Sequence, residues 1–85
     1  MKIHPLITTT DALADLCGRL ARAQFVCVDT EFMRESTYWP ELCLIQIADD
    51  KEAAAIDPKA DGIDLSPLLD LLVDNEEVLK IFHAG

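Results

Sequence analysis

The sequence predicts one small α/β domain in which helices pack on a mixed β-sheet. Three observations predict this fold class. Apolar runs and turn signals alternate so that three strands are followed by a helix and a further strand. The polar turn DDK joins two strands as an antiparallel hairpin, whereas the last strand follows a helix, as a parallel crossover strand does. A hydrophobic fraction of 51% and a charged fraction of 27% are typical of a globular chain.

The N-terminal part of the sequence predicts a short strand and an amphipathic helix. The strand covers residues 6–8. Thr9 or Thr10 is suited to cap the helix, and Asp11 is suited to its electropositive first turn. An apolar stripe with helical spacing should face the core, formed by Leu13, Leu16, Cys17 and Leu20.

Four longer apolar runs predict the main strands of the sheet. They cover residues 25–31, 42–48, 52–57 and 78–82. The run LCLIQIA is nearly continuous, which predicts a strand buried in the sheet. Gln46 lies inside this run and should therefore need a buried hydrogen-bond partner.

A second helix is predicted from the segment SPLLDLLVD. Ser66 is the expected N-cap, and Pro67 would occupy the first helical position. The helix should end near residues 74–75. The side chains that we expect it to bury are Leu68, Leu69, Leu72 and Val73.

Composition limits the class of protein. Sixteen acidic and seven basic residues give a formal net charge of −9, which argues against a general polyanion-binding surface. The basic residues are scattered singly, so contact with a phosphate chain would need metal ions or basic groups on another part of the protein. No apolar run approaches membrane-spanning length, and the start lacks the apolar core of a secretory leader. The three cysteines form no C-x-x-C pair, so we expect buried thiols in a cytoplasmic protein.

One pair of acidic residues is placed differently from the others. Asp29 and Glu31 end an apolar strand, and side chains two positions apart on a strand point to the same face, roughly 6–7 Å apart. Like charges at that distance repel unless a cation or a proton lies between them, so a metal site or an acid–base site is indicated. Solvated charge remains the alternative, and it suffices for the other two D-x-E pairs, Asp50/Glu52 and Asp74/Glu76.

Residues 7–85 resemble the ribonuclease D family, whose 3′–5′ exonuclease domains are built on four acidic residues and a ribonuclease-H-like sheet. The resemblance rests on VDTEFMRESTYWPELCLIQIAD, AIDP, DLSPLLDLLVD and KIFHAG. It implies that residues 1–85 are the N-terminal part of such a domain. Asp29 and Glu31 match the first two acids, which in this family are catalytic and hold two divalent ions. Carboxylate oxygens suit Mg²⁺ or Mn²⁺, and no His/Cys cluster supports zinc.

The resemblance also implies what the chain lacks. The third acid of the family should follow shortly after His83, and the fourth, with a tyrosine that orients the water, should come later. Because two carboxylates cannot fix two metal ions, we expect this incomplete domain to be inactive alone. Its sheet should have exposed edges and an uncovered face, so we expect self-association.

Further residues are assigned to substrate binding by the resemblance. For Phe32 and Met33 the alternative is core packing, and for Trp39 it is anchoring of the loop on the sheet. For His83 a structural hydrogen bond at the strand end is the preferred alternative. The full set of expected substrate contacts is Thr30, Phe32, Met33, Trp39 and His83.

The function implied is a 3′–5′ exoribonuclease that trims the 3′ ends of structured RNA, notably tRNA precursors. Water attack on the terminal phosphodiester, activated by metal, would release nucleoside 5′-monophosphates. Two alternatives stay open. The first is a DNA exonuclease of the same superfamily, because sugar discrimination depends on contacts to the 2′-OH. The second is a non-catalytic interaction module with a degenerate exonuclease fold.

Overall fold

The structure, a computed structural model, describes residues 1–33 and 41–84, with all their side chains except those of residues 32–33, 41–43 and 84. In this part of the chain, five strands form one mixed sheet with the order β1-β4-β3-β2-β5. The central strands β2, β3 and β4 are antiparallel, and β5 lies parallel to β2. The predicted α/β class is therefore confirmed. The elements are β1 (Lys2–Ile3), α1 (Thr10–Leu20), β2 (Phe25–Met33), β3 (Glu41–Ala48), β4 (Glu52–Ile56), α2 (Ser66–Leu69, continued by a π-helical turn over Asp70–Asp74) and β5 (Leu79–Ala84).

Both helices pack on the same face of the sheet and leave the other face open. Because side chains alternate along a strand, Val26 and Val28 of β2 lie under the helices, whereas Asp29 faces the open side. No helix in the described residues is both long and apolar enough to cross a membrane. The core is formed by Ile7, Leu13, Leu16, Cys17, Leu20, Val26, Val28, Ile45, Ile47, Ala54, Ile56, Leu68, Leu71 and Val78.

Helix α1 forms as its sequence predicts. The Thr9 hydroxyl accepts a hydrogen bond from the amide of Ala12 at 3.3 Å, and all four residues of the apolar stripe are buried. Burial raises the pKa of the Cys17 thiol to about 11, which keeps it protonated and unreactive at neutral pH. Cys27 is only half-buried and lies on the open face, so the prediction that all cysteines are buried is wrong there.

The first strand was predicted at residues 6–8, and the structure corrects this. The strand is Lys2–Ile3, parallel to β4, and Ile7 forms only an isolated bridge with Ile56. The amide of Ile7 donates to the Ala55 carbonyl at 2.8 Å, and its carbonyl accepts from Asp57. The donors to β4 change from alternate residues, Lys2 and His4, to Ile7, and this one-residue irregularity separates the bridge from the strand.

The second helix differs from its prediction in both its cap and its buried side. Leu65 is the N-cap, and the Ser66 hydroxyl instead donates to the Asp64 carboxylate at 2.6 Å. Leu68 and Leu71 are buried, whereas Leu69 is 56% exposed and Val73 is 70% exposed. The last turn of the helix widens into a π-helix, in which the Asn75 amide donates a hydrogen bond to the Asp70 carbonyl. The helix ends at Asp74, as the sequence predicted.

The hairpin between β3 and β4 confirms the predicted antiparallel pair. Its turn is fixed by Asp49, whose buried carboxylate accepts hydrogen bonds from the amides of Lys51 and Glu52 at 2.8 and 2.9 Å. Such side-chain acceptance of turn amides sets the turn geometry, and therefore the alignment of β4 on β3.

Glu52 attaches β1 and α1 to this edge of the sheet. Its carboxylate lies 2.6 Å from Nε2 of His4 and accepts from Nε of Arg19 at 3.1 Å. The hydrogen bond from Arg19, followed by that from His4, lowers the pKa of Glu52. Lys2 and Lys51 line the same shallow cavity, so the fold gathers basic residues that are scattered in the sequence. The sequence analysis had predicted solvated charge for Glu52.

Leu16→Ala should lower the free energy of unfolding by about 2–5 kcal/mol, because it removes a fully buried side chain and leaves a cavity. Urea denaturation of the complete gene product measures this loss. Leu69→Ala is the matched control on an exposed helical position and should change stability by less than about 0.5 kcal/mol. Equal losses in the two variants would contradict the assignment of faces.

Glu52→Gln should destabilise the protein at neutral pH, with an effect that disappears in acid. The lowered pKa means that ionised Glu52 contributes stability above its ordinary pKa of about 4.5 and loses it as the pH falls through the lower folded value. Urea denaturation of both proteins across this acid range tests the prediction. A stability difference that stays constant as the pH falls would contradict it.

Candidate metal and nucleic-acid site

The two acids of the DTE segment lie on the open face of the central strand β2. The pairing of β2 with β3 is regular from Cys27 to Glu31, so Asp29 and Glu31 project from the same side of the sheet. Asp29 is half-buried, and Glu31 is exposed. A hydrogen-bonded strand flanks β2 on each side, so the backbone that carries the carboxylates is held rigidly.

The carboxylate of Asp29 contains a buried oxygen with no partner. In the described residues, Oδ1 of Asp29 is inaccessible to solvent and forms no hydrogen bond. A buried carboxylate oxygen without compensation is costly, so a positive or hydrogen-bonding group is needed there. Hard oxygen ligands on one face fit a hard divalent cation such as Mg²⁺ or Mn²⁺. The described residues contain no group of three or more acidic, histidine or cysteine side chains that could complete the coordination.

Asp29 is flanked on the open face by two residues with hydrogen-bonding side chains. It pairs with Gln46 of β3 on one side and with His83 of β5 on the other. Both side chains are exposed, which corrects the prediction that Gln46 is buried with a partner. The three residues line an open cavity of about 510 Å³, whose remaining wall contains the small side chains Cys27, Ala53 and Ala55.

The predicted substrate residues are placed at different points. His83 lies beside Asp29, on the side of the acids. Thr30 is half-buried and, by the alternation of β2, lies on the side that the helices cover. Phe32 and Met33 end β2, after a register shift between Glu31 and Phe32, but their side chains lie outside those described. Trp39 is outside the described residues. The substrate contacts of all five residues remain predictions.

Three comparisons place this geometry among known proteins. A family profile described as 3′–5′ exonuclease matches residues 5–85. A ribonuclease D from Zymomonas mobilis is 71% identical over the whole chain, which covers 22% of that protein. The crystal structure of Escherichia coli ribonuclease D, described as an exoribonuclease involved in structured RNA processing, aligns over 96% of the chain and 21% of its own, with 44% identity and a TM-score of 0.83. The chain thus spans about a fifth of the length of these relatives.

A further solved structure bears on the metal. Brucella melitensis NrnC with bound Mg²⁺ aligns over 98% of the chain and 39% of its own, with 26% identity and a TM-score of 0.62. The α/β fold class predicted from the sequence is the fold shared with E. coli ribonuclease D.

Asp29→Asn in the complete gene product should weaken Mn²⁺ binding by about tenfold or more, because it neutralises a carboxylate whose Oδ1 has no hydrogen-bond partner among the described residues. Isothermal titration calorimetry measures the dissociation constant. Asp74→Asn is the control, since Asp74 is an exposed acid of another D-x-E pair and should bind as the wild type does. Wild-type affinity in Asp29→Asn would exclude this site.

Proposed function

This chain belongs to the 3′–5′ exonuclease family, and we propose that it is the N-terminal part of the catalytic domain of an exoribonuclease like ribonuclease D. The observation that carries the proposal is the carboxylate pair on the open face of the central strand, with one buried oxygen that no described group satisfies. The 71% identity to a ribonuclease D supports RNA as the substrate. Because the chain covers about a fifth of that relative, the activity is proposed for the longer protein.

Asp29 and Glu31 are the proposed catalytic metal ligands. We propose that they hold two Mg²⁺ or Mn²⁺ ions together with acids from outside residues 1–85. Such ions supply charge stabilisation at the attacking and leaving oxygens and activation of water. The Mg²⁺-bound NrnC structure supports this choice of metal. The chain's own contribution is orientation, since the central strand fixes both carboxylates before substrate arrives.

The RNA 3′ end is proposed to enter along the open face beside Asp29. His83 borders the same cavity as Asp29, within reach of a terminal nucleotide held there. Phe32, Met33 and Trp39 are proposed to contact the terminal base by stacking or apolar packing. Thr30 is proposed to contact the nucleotide beside the acids through its backbone only, because its side chain lies on the side that the helices cover. With a net charge of −9, the chain depends on bound cations to accept a phosphate backbone.

The proposed reaction releases nucleoside 5′-monophosphates from the 3′ ends of structured RNA, including tRNA precursors, in the cytoplasm. The description of the related E. coli enzyme supports structured RNA as the substrate class. For the 85-residue segment alone, we propose self-association through β5, an edge strand in the described sheet on which Leu79 and Phe82 are both more than 60% exposed.

Asp29→Asn and Glu31→Gln in the complete gene product should each slow Mg²⁺-dependent shortening of a 3′-labelled or 5′-labelled RNA by about 100-fold or more. Both changes preserve side-chain size and remove one negative charge from the proposed metal site. Gel analysis of single-turnover reactions gives the rates.

The control variants are Asp74→Asn and Glu76→Gln, which remove the same charges from an exposed D-x-E pair and should retain wild-type rates. A matched DNA strand should be shortened more slowly than the RNA. Normal rates in either acid variant at the proposed site would reject the proposal, and faster DNA degradation would assign a deoxyribonuclease instead.

A further inference from the structure

Gln46 is placed to act on Asp29 rather than on the core. Its position on β3 is directly opposite Asp29 on the open face, where side chains of cross-strand pairs lie about 4.5–5.5 Å apart at Cβ. Its other lateral neighbour is Ala55 of β4, which offers no polar side chain. Of the two direct cross-strand neighbours of Gln46, Asp29 is therefore the one that offers a side-chain acceptor.

The two side chains have complementary needs. Oδ1 of Asp29 is buried and has no hydrogen-bond partner among the described residues, whereas Gln46 is exposed and carries two amide donors. Gln46 has three rotatable side-chain bonds, so its amide can turn towards Asp29 without any movement of the backbone. A glutamine donor also adds no charge, unlike lysine or arginine, which would compete electrostatically with a bound cation.

We propose that Gln46 is a positioning residue, whose side-chain amide donates a hydrogen bond to Oδ1 of Asp29 and leaves the second carboxylate oxygen for a divalent cation. The inference rests on the proposed metal site and adds a residue that holds one ligand in orientation. Groups that hydrogen-bond to ligating carboxylates typically change metal affinity or activity about 10–100-fold when they are removed. His83, on the other side of Asp29, depends on its tautomer to donate.

The test compares two glutamines in the complete gene product. Gln46→Leu puts an apolar side chain of similar size at this position and removes the donor, so the Mn²⁺ dissociation constant measured by calorimetry should rise about tenfold or more. Gln24→Leu makes the same change at an exposed residue before β2 and should bind as the wild type does. At saturating Mn²⁺, Gln46→Leu should recover most of its RNA-shortening rate, which a purely structural defect would not allow.

A second measurement does not depend on whether Gln46→Leu folds. Without metal, the side-chain amide NMR signals of Gln46 should differ between the wild-type protein and Asp29→Asn, whereas those of Gln24 should be the same in both. Unchanged Gln46 signals, or Mn²⁺ affinity within twofold of wild type in a folded Gln46→Leu, would overturn the inference.

The two proposals fail differently in these experiments. Loss of Mn²⁺ binding in Asp29→Asn, together with normal binding in Gln46→Leu, leaves the metal site standing and removes only the role of Gln46. Normal binding in Asp29→Asn removes both.

Discussion

The candidate site depends on the two unlike faces of strand β2. Val26 and Val28 are almost fully buried beneath the helices, and the alternating residues Cys27, Asp29 and Glu31 point to the open side. The apolar residues anchor the strand in the core, and this anchoring determines where Asp29 and Glu31 project. Packing on one face of the sheet therefore supplies the rigidity that a carboxylate pair needs on the other.

The buried oxygen of Asp29 shows a conflict between stability and chemistry. A fully solvated carboxylate would be less costly to the folded chain, but it would have to give up its water molecules before it could bind a cation. A buried polar atom without a partner is rare in folded proteins and is explained at such a site by a bound ion, water or ligand. The rest of the described core contains ordinary apolar packing, so the cost is confined to one residue on one strand.

Local sequence patterns predicted the parts of the fold that local interactions determine. Helix α1, with its Thr9 cap and apolar stripe, and the β3–β4 hairpin follow from short-range spacing and turn chemistry. The prediction that Leu69 is buried was wrong, because helical periodicity identifies an apolar stripe without showing which of its edges meets the sheet. Gln46 was misplaced for a similar reason, since an apolar run cannot show that one face of its strand is left uncovered.

Contacts between distant residues were beyond sequence reasoning. Glu52 meets His4 across 48 positions and Arg19 across 33, and no local pattern links them. The acid pair was easier to find because its two members share one strand and its geometry follows from alternation alone. Its chemical meaning came from the resemblance to a known family, since D-x-E by itself is common in acidic chains.

The Asp49 turn gives the hairpin a fixed length. Because its carboxylate binds the second and third amides beyond it, Asp50 and Lys51 can vary in identity while their number stays constant. An inserted residue would turn β4 over, bringing Ile56 to the open side and moving Glu52 away from helix α1. Related chains should therefore tolerate substitutions in this loop far more readily than insertions or deletions.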